Sequence, residues 1–357
     1  MSKRRFLISP LAAAATLLAF GAQAQVTVQG FADGAWRSVS NSKGTVQSVV
    51  SGSGTTSRLI FRGTEDLGGG WSAGFWLEST FFIDSGNVTT TQFFDRQSTV
   101  RLAGPMGEFR MGRDWVPSFM SYAAADIMGY VGVGVAGNLI SATGMEAIKR
   151  AFGTFTPTTS RSNNSIEYLT PASLGNLYGH AMIAFSEDSN SAGNFKLKGG
   201  RMGYRASGWD VSAHYTGTQI QATGATWSQS GLTALWTMRG TGIRVNGALL
   251  DTKYLSSKQS NLMLGAGFPV GVQEFKVTYG RANQSGTNAA GASIDANDAQ
   301  LYGVSYVYNL SKRSALYANA ARVQNKGAAT YTIAGGSAGA APGTAHRGFE
   351  LGMRHAF

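Results

Sequence analysis

From about residue 26 to the end of the chain, apolar and polar residues alternate in runs of about ten, and Gly, Asn, Ser or Pro closes each run. Trp209, Val211, Ala213 and Tyr215 interleave with Asp210, Ser212, His214 and Thr216. Phe275, Val277 and Tyr279 interleave with Glu274, Lys276 and Thr278, and Tyr302, Val304, Tyr306 and Tyr308 share a face. A period of two is that of a β-strand with unlike faces. The pattern predicts about sixteen strands, near 26–39, 56–66, 71–83, 93–104, 107–114, 163–171, 177–187, 196–206, 208–219, 226–239, 241–254, 259–268, 272–283, 298–309, 313–325 and 346–357.

The last strand organises the rest. Phe349, Leu351, Met353 and Phe357 fall on one face, and Glu350, Gly352, Arg354 and Ala356 on the other. A terminal strand frays unless both of its edges are paired. Closing the sheet supplies the second partner, and Val26 to Arg37 is strand-like enough to be it. The connections alternate in length. Short turns are expected at Asp66–Gly70, Gly104–Gly107, Ala206–Gly208, Gly240–Gly242, Pro269–Gly271 and Asn309–Lys312, with longer polar loops at 40–55, 284–297 and 326–345. Short turns on one rim and long loops on the other, joined by strands of bilayer length, predict an all-β fold: a closed, antiparallel, 16-stranded transmembrane barrel.

Cost decides which face meets lipid. Trp71, Trp209, Tyr215, Tyr279 and Tyr308 stand near strand ends on the apolar faces, where amphipathic rings gather at membrane interfaces. The ionisable faces must then line a wet lumen. A soluble sandwich of this length would need a second core and would leave the outward aromatics unexplained.

Composition adds three points. Met1 to Ala24 has a basic head (Lys3, Arg4, Arg5), an apolar core over Leu11–Phe20 and a small-residue cleavage site, Ala22-Gln23-Ala24, so 1–24 reads as a secretory signal and 25–357 as one domain. Removing it lowers Lys+Arg from 30 to 27 against 19 acids, a net charge of +8. The exported chain has no Cys, so packing and backbone closure must hold it together. The cations are scattered singly, which argues against a nucleic-acid surface.

From Trp115 to about Arg161 the alternation stops. This stretch holds Asp126 and Glu146 among many glycines, and then Lys149 and Arg150. So long a segment inside a compact domain points to function. A barrel of about sixteen strands has room to admit it, and the reading is a loop folded into the lumen, with an external loop or plug as the alternative. Catalysis finds little support. The four His lack metal-ligand spacing, and Asp210, Ser212 and His214 are strand-face neighbours without the orientation of a triad. Asp295, Asn297 and Asp298 form a weak Ca²⁺ pattern. No cofactor and no resident metal are expected.

Several stretches resemble the Gram-negative general porins, in particular the β-proteobacterial type. Ser57-Arg58-Leu59-Ile60-Phe61-Arg62-Gly63-Thr64-Glu65-Asp66-Leu67-Gly68-Gly69-Gly70 resembles their second strand. Phe109–Arg113 resembles the strand entering their constriction loop, and Asn164–Pro171 the strand leaving it. Leu310–Tyr317 and Met353–Phe357 resemble the last two strands. The resemblance implies an outer-membrane homotrimer with a signal peptide, whose third loop narrows the pore against a row of basic wall residues. It implies contacts with outer-membrane lipid and lipopolysaccharide, and handling by the barrel-assembly machinery through Phe357. Carried over by position, Arg58, Arg62 and Arg96 match the wall, Arg161 joins it, and Arg110 shares the lumen parity of Glu108. Asp126 and Glu146 supply the loop side. Arg113 is expected outside the pore, at intersubunit contacts. Arg96 has the outward parity of its strand, which leaves a trimer contact open, and Arg101 and Ile60 depart from the family pattern. The function implied is passive diffusion of small hydrophilic solutes and ions, with preference for anions. The alternative is a solute-selective channel for an anionic substrate.

Overall fold

The computed structural model describes residues 25–89, 92–142, 144–153, 158–186 and 195–357. The expected signal, 1–24, lies outside the described residues. The strands are β1 (Gln25–Asn41), β2 (Gly44–Ser51), β3 (Arg58–Gly68), β4 (Trp71–Thr80), β5 (Gln97–Gly104), β6 (Gly107–Trp115), β7 (Arg161–Leu169) and β8 (Leu177–Ala184). There follow β9 (Leu197–Ala206), β10 (Trp209–Gln219), β11 (Thr226–Thr237), β12 (Arg244–Tyr254), β13 (Ser257–Val270), β14 (Gln273–Gly286), β15 (Ala299–Asn309), β16 (Ser314–Asn325) and β17 (Ala345–Ala356). From β3 to β17 each strand pairs antiparallel with the next.

The ring closes through β17 and β1, in register from Phe31↔Ala356 to Ser40↔Arg347. One step further, Gly30 and Phe357 exchange both backbone hydrogen bonds at 3.1 Å. A Cβ on residue 30 would sit 2.5 Å from the Phe357 ring and 2.4 Å from the Arg58 carbonyl, so only Gly lets the terminal ring lie across this strand.

The stretch 40–55, expected as a loop, is a correction. Most of it is a hairpin that turns at Ser42 and Lys43, and Gly44–Ser51 pairs with Gly34–Asn41. β3 then pairs with the other half of β1, Gln25–Phe31. The two segments therefore share one place in the wall, and the barrel has sixteen positions from seventeen segments. The long-loop rim also carries a second tight turn, Leu255–Ser256, where the pattern suggested only longer loops.

Residues 52–57 interrupt the split strand, and Asp33 fixes them. Its carboxylate accepts the backbone N–H groups of Ser53 at 3.0 Å, Gly54 at 3.1 Å and Thr55 at 2.8 Å, and the Tyr317 hydroxyl. Successive N–H groups aimed at one anion form a nest, which holds the interruption rigid. The nest delivers Thr55, Thr56 and Arg58 to the same point of the lumen.

The long segment after β6 does enter the bore. Its helix Pro117–Ala125 packs Phe119, Tyr122 and Ala125 against Met182, Ala184, Leu197, Ala248, Leu250 and Met263 on the inner wall. Its later part, with the helix Glu146–Phe152, packs Leu139, Met145, Ile148 and Phe152 against Trp227, Tyr254 and Leu301. Behind the loop the wall is thus apolar on both faces: Leu249 is 56% exposed on the outside, and its neighbour Leu250 is 2% exposed inside. Each large side chain buried this way contributes about 1.5–3 kcal/mol. The loop after β16 also folds in, placing Tyr331 and Ile333 in the same cluster, where the pattern suggested a polar rim loop.

Candidate functional site: an arginine wall facing the inward loop

A cavity of about 450 Å³ lies in the lumen between the inward loop and the long-loop ends of four strands. Strand register explains why these ends meet. Arg58 opens β3 opposite Thr80, the last residue of β4. Glu78 of β4 stands opposite Gln97 of β5, and Arg96 directly precedes it. Trp115, where the loop departs, is paired in register with Arg161, where it returns. Residues 58, 78, 96, 115 and 161 are thereby gathered in one place.

Glu78 is the hub. It lies 2.5 Å from Arg96 and 3.4 Å from Arg58, and it accepts the Trp76 indole N–H at 3.0 Å. A carboxylate this buried would be costly alone, and two guanidinium partners offset that cost. Arg161 has no ion pair among the described residues. Its guanidinium lies 3.5 Å from the Trp115 ring centroid, and its Nε donates to the Arg96 carbonyl. Arg96 covers the same indole at 5.4 Å, and Phe119 stacks on it at 4.6 Å. Cation–π contact holds such arginines in place without neutralising them. Facing this wall, the loop presents Phe119, Ala123, Gly129, Tyr130, Val131 and Ser141. Three guanidinium groups therefore border the cavity, with the buried Glu78 carboxylate behind two of them, and the loop residues lining it include no acid.

The remaining candidates separate. Arg62 lies on the Arg58 face but nearer the short-turn rim, exposed, with its guanidinium over Trp76. Arg110 faces the lumen and is neutralised by Glu108 at 2.5 Å and Asp114 at 3.0 Å. Arg96, whose parity suggested the outer face, precedes its strand and so is free to swing in to Glu78. Arg113 turns away from the lumen, donating to the Asp95 carbonyl and to Asn163. The loop acids need correction. Asp126 is 4% exposed; its carboxylate turns into its own loop, accepting the N–H groups of Met128 at 3.0 Å and Ala136 at 2.9 Å. Burial pushes it up to about 6. Glu146 heads its helix with its N–H on Gln284, outside the residues bounding the passage. Asp210 and Ser212 turn to Arg205 and Thr233, while the ring nitrogens of His214 are unpartnered.

Sequence reasoning missed Glu78 and Trp115. The lumen parity of Trp76 and Glu78, between two arginine-bearing segments, is the signal that could have found the first. It also missed the anchor of the loop. Glu350, fully buried, accepts from Arg37 at 2.6 Å, Ser53 at 2.8 Å, Asn319 at 2.9 Å and the loop's Val133 N–H at 3.1 Å.

Because the wall charges are arginines, which stay protonated, and Asp126 is shielded, ion preference should hold from about pH 5 to about pH 8. A step centred near 6 in reversal-potential measurements would place the Asp126 carboxylate in the passage.

A closed sheet with apolar residues outside, charge inside and a loop narrowing its bore against a basic wall is a transmembrane channel. The chain matches the family described as Gram-negative porin over residues 11–328. It is 35% identical over 318 residues to outer membrane porin protein 32 of Delftia acidovorans, covering 85% of each chain. It superposes on the anion-selective porin from Comamonas acidovorans with a TM-score of 0.80 and 33% identity, over 94% of this chain and all of that one. A Salmonella typhi OmpF, solved with daunomycin, shares the fold at 15% identity and a TM-score of 0.65, over 94% of this chain and 98% of that one. The chain belongs to the Gram-negative porin family and is an outer-membrane protein.

Proposed function

We propose that this porin passes small hydrophilic solutes and ions by passive diffusion and prefers anions. The observation that carries this is the arginine wall: Arg58, Arg96 and Arg161 against the single carboxylate of Glu78, facing a loop without an exposed acid. Positive charge in a low-dielectric bore raises the local concentration of anions and repels cations. Arg62 continues the attraction toward the short-turn rim, so an ion meets several shallow sites rather than one deep well. The Comamonas relative, named as anion-selective, supports the same sign.

The chain works as a homotrimer in contact with outer-membrane lipid and lipopolysaccharide, a reading that fits the trimeric form of one structural neighbour. Residues 1–24 are removed on export, Phe357 is the signal for barrel assembly, and the protein carries out no catalysis.

Liposome swelling tests the reading. Vesicles carrying the protein should swell faster in an anionic organic solute than in a cationic one of the same size. Equal rates, or the reverse order, would overturn the anion preference. The alternative, a channel built for one anionic substrate, requires flux that saturates at low concentration.

A further inference from the structure

Attracting small anions needs positive charge and no aromatic surface, yet the arginine cavity has both. Trp115, Phe119 and Tyr130 line it together with Arg58, Arg96 and Arg161. Two of the rings are committed to the protein. Phe119 is only 7% exposed and stacks on Trp115, with the planes 7° apart, and Trp115 also carries the Arg161 guanidinium. Tyr130 is half-buried and is the ring left to the cavity.

Tyr130 is held there by its surroundings. Phe119 meets it edge to face at 4.8 Å, and its hydroxyl is hydrogen-bonded to that of Ser141. A Cβ on residue 137 would sit 3.0 Å from the Tyr130 hydroxyl oxygen, so Gly137 lets the ring lie across the loop. The backbone of Tyr130 has a φ of +60°, a conformation rare for an aromatic residue. Strain of this kind persists where neighbours over-determine it, and it gathers at sites that clamp a ligand.

The charge beside this ring is unspent as well. The Arg161 Nε donates to the Arg96 carbonyl, and no carboxylate meets the guanidinium among the described residues. Its charge lies within electrostatic reach of the Tyr130 hydroxyl. A guanidinium fork matches a carboxylate, and an aromatic ring accepts a second ring offset or edge-on. Space is sufficient: roughly 150 Å³ holds a benzene molecule, and the cavity has about 450 Å³.

We propose that the cavity is a resting site for aromatic carboxylates of one ring, with the carboxylate on Arg161 and the ring against Tyr130. The inference rests on the anion preference proposed above and names the class of anion that this site holds longest.

The test is chloride current through the purified protein in planar bilayers near neutral pH, with benzoate, cyclohexanecarboxylate or benzyl alcohol added in turn. The two acids match in charge and nearly in size, and the saturated ring is the more apolar, so plain hydrophobicity predicts that it blocks better. Benzoate should instead halve the current at a roughly five-fold lower concentration, from the usual gain of an aromatic pair, and benzyl alcohol should not block. Y130F should keep this ratio and Y130L should bring it to one. R161Q should raise both blocking concentrations and leave their ratio as it is. Equal block by the two acids in the wild type would overturn the inference, as would the wild-type ratio in Y130L, or block by benzyl alcohol at the benzoate concentration. Equal block beside a reversal potential of anion sign would remove the aromatic site and leave the anion preference standing, whereas a potential of cation sign would remove both. The wild-type comparison decides the matter even if a variant fails to fold.

Discussion

Replacing Arg58, Arg96 and Arg161 together with Gln should invert the ion preference. The triple variant strips the cavity lining of its three guanidinium groups and leaves the Glu78 carboxylate beside it without its two partners, so the local potential changes sign. A focusing field of this kind changes local ion concentrations by about ten-fold or more, and the anion-to-cation permeability ratio should fall by at least about that factor. Burying Glu78 without its partners costs several kcal/mol, roughly 3–5 for a broken buried pair. Two further variants therefore separate selectivity from stability. R161Q removes a guanidinium that holds no carboxylate and should weaken the preference without lowering thermal stability appreciably. Adding E78Q to the triple variant removes both the stranded charge and the inversion, leaving a nearly unselective pore. An unchanged reversal potential in the triple variant would show that these residues do not set selectivity.

Glu350→Gln should release the tip of the inward loop. All four groups that meet this carboxylate are donors: the Arg37 guanidinium, the Ser53 hydroxyl, the Asn319 amide and the Val133 N–H. A carboxylate accepts from every one, while Gln turns an NH₂ donor toward at least one of them and leaves Arg37 uncompensated. The expected cost is about 3–5 kcal/mol at the anchor. Gly132→Ala should act in the same direction by less. Residue 132 is at φ +74°, and an added Cβ would sit 2.8 Å from the Ser53 carbonyl and 2.9 Å from Glu350 Oε2. Forcing an ordinary residue into that conformation costs about 1–2 kcal/mol. Both variants should show larger, noisier single-channel conductance and new protease cleavage near residues 131–134, with the rest of the barrel intact. The helix Pro117–Ala125 should stay docked, because its apolar face and the bond from the Ser118 N–H to Thr216 do not depend on Glu350. Unaltered conductance together with unaltered cleavage would show that the anchor bears no load.

These two sites differ in how far the chain disclosed them beforehand. The wall itself is written in a period of two, and the tail-to-head closure follows from a strand that runs to Phe357. β2 escaped because Thr45–Ser51 alternates Val with Thr, Gln and Ser so weakly that its pairing with Gly34–Asn41 decides its state. The apolar lumen faces of Leu250, Met263 and Leu301 were indistinguishable from ordinary strand interiors, since the surface that covers them comes from a loop more than ninety residues away in sequence. Arg58 and Arg161 were readable as wall residues, whereas the parity of Glu78 marks it only as lumen-facing, and its place between Arg58 and Arg96 follows from strand register. Asp126 misled for a local reason: a charged residue in an inward loop suggests the passage, yet its own backbone supplies the donors that turn it away.

The zero-current potential of the wild-type channel across a KCl gradient tests the account most directly, since K⁺ and Cl⁻ have nearly equal mobilities in water. With guanidinium groups lining the cavity beside the inward loop, chloride should cross more readily and leave the dilute side negative. A dilute side that becomes positive would mean that the arginines do not govern what passes.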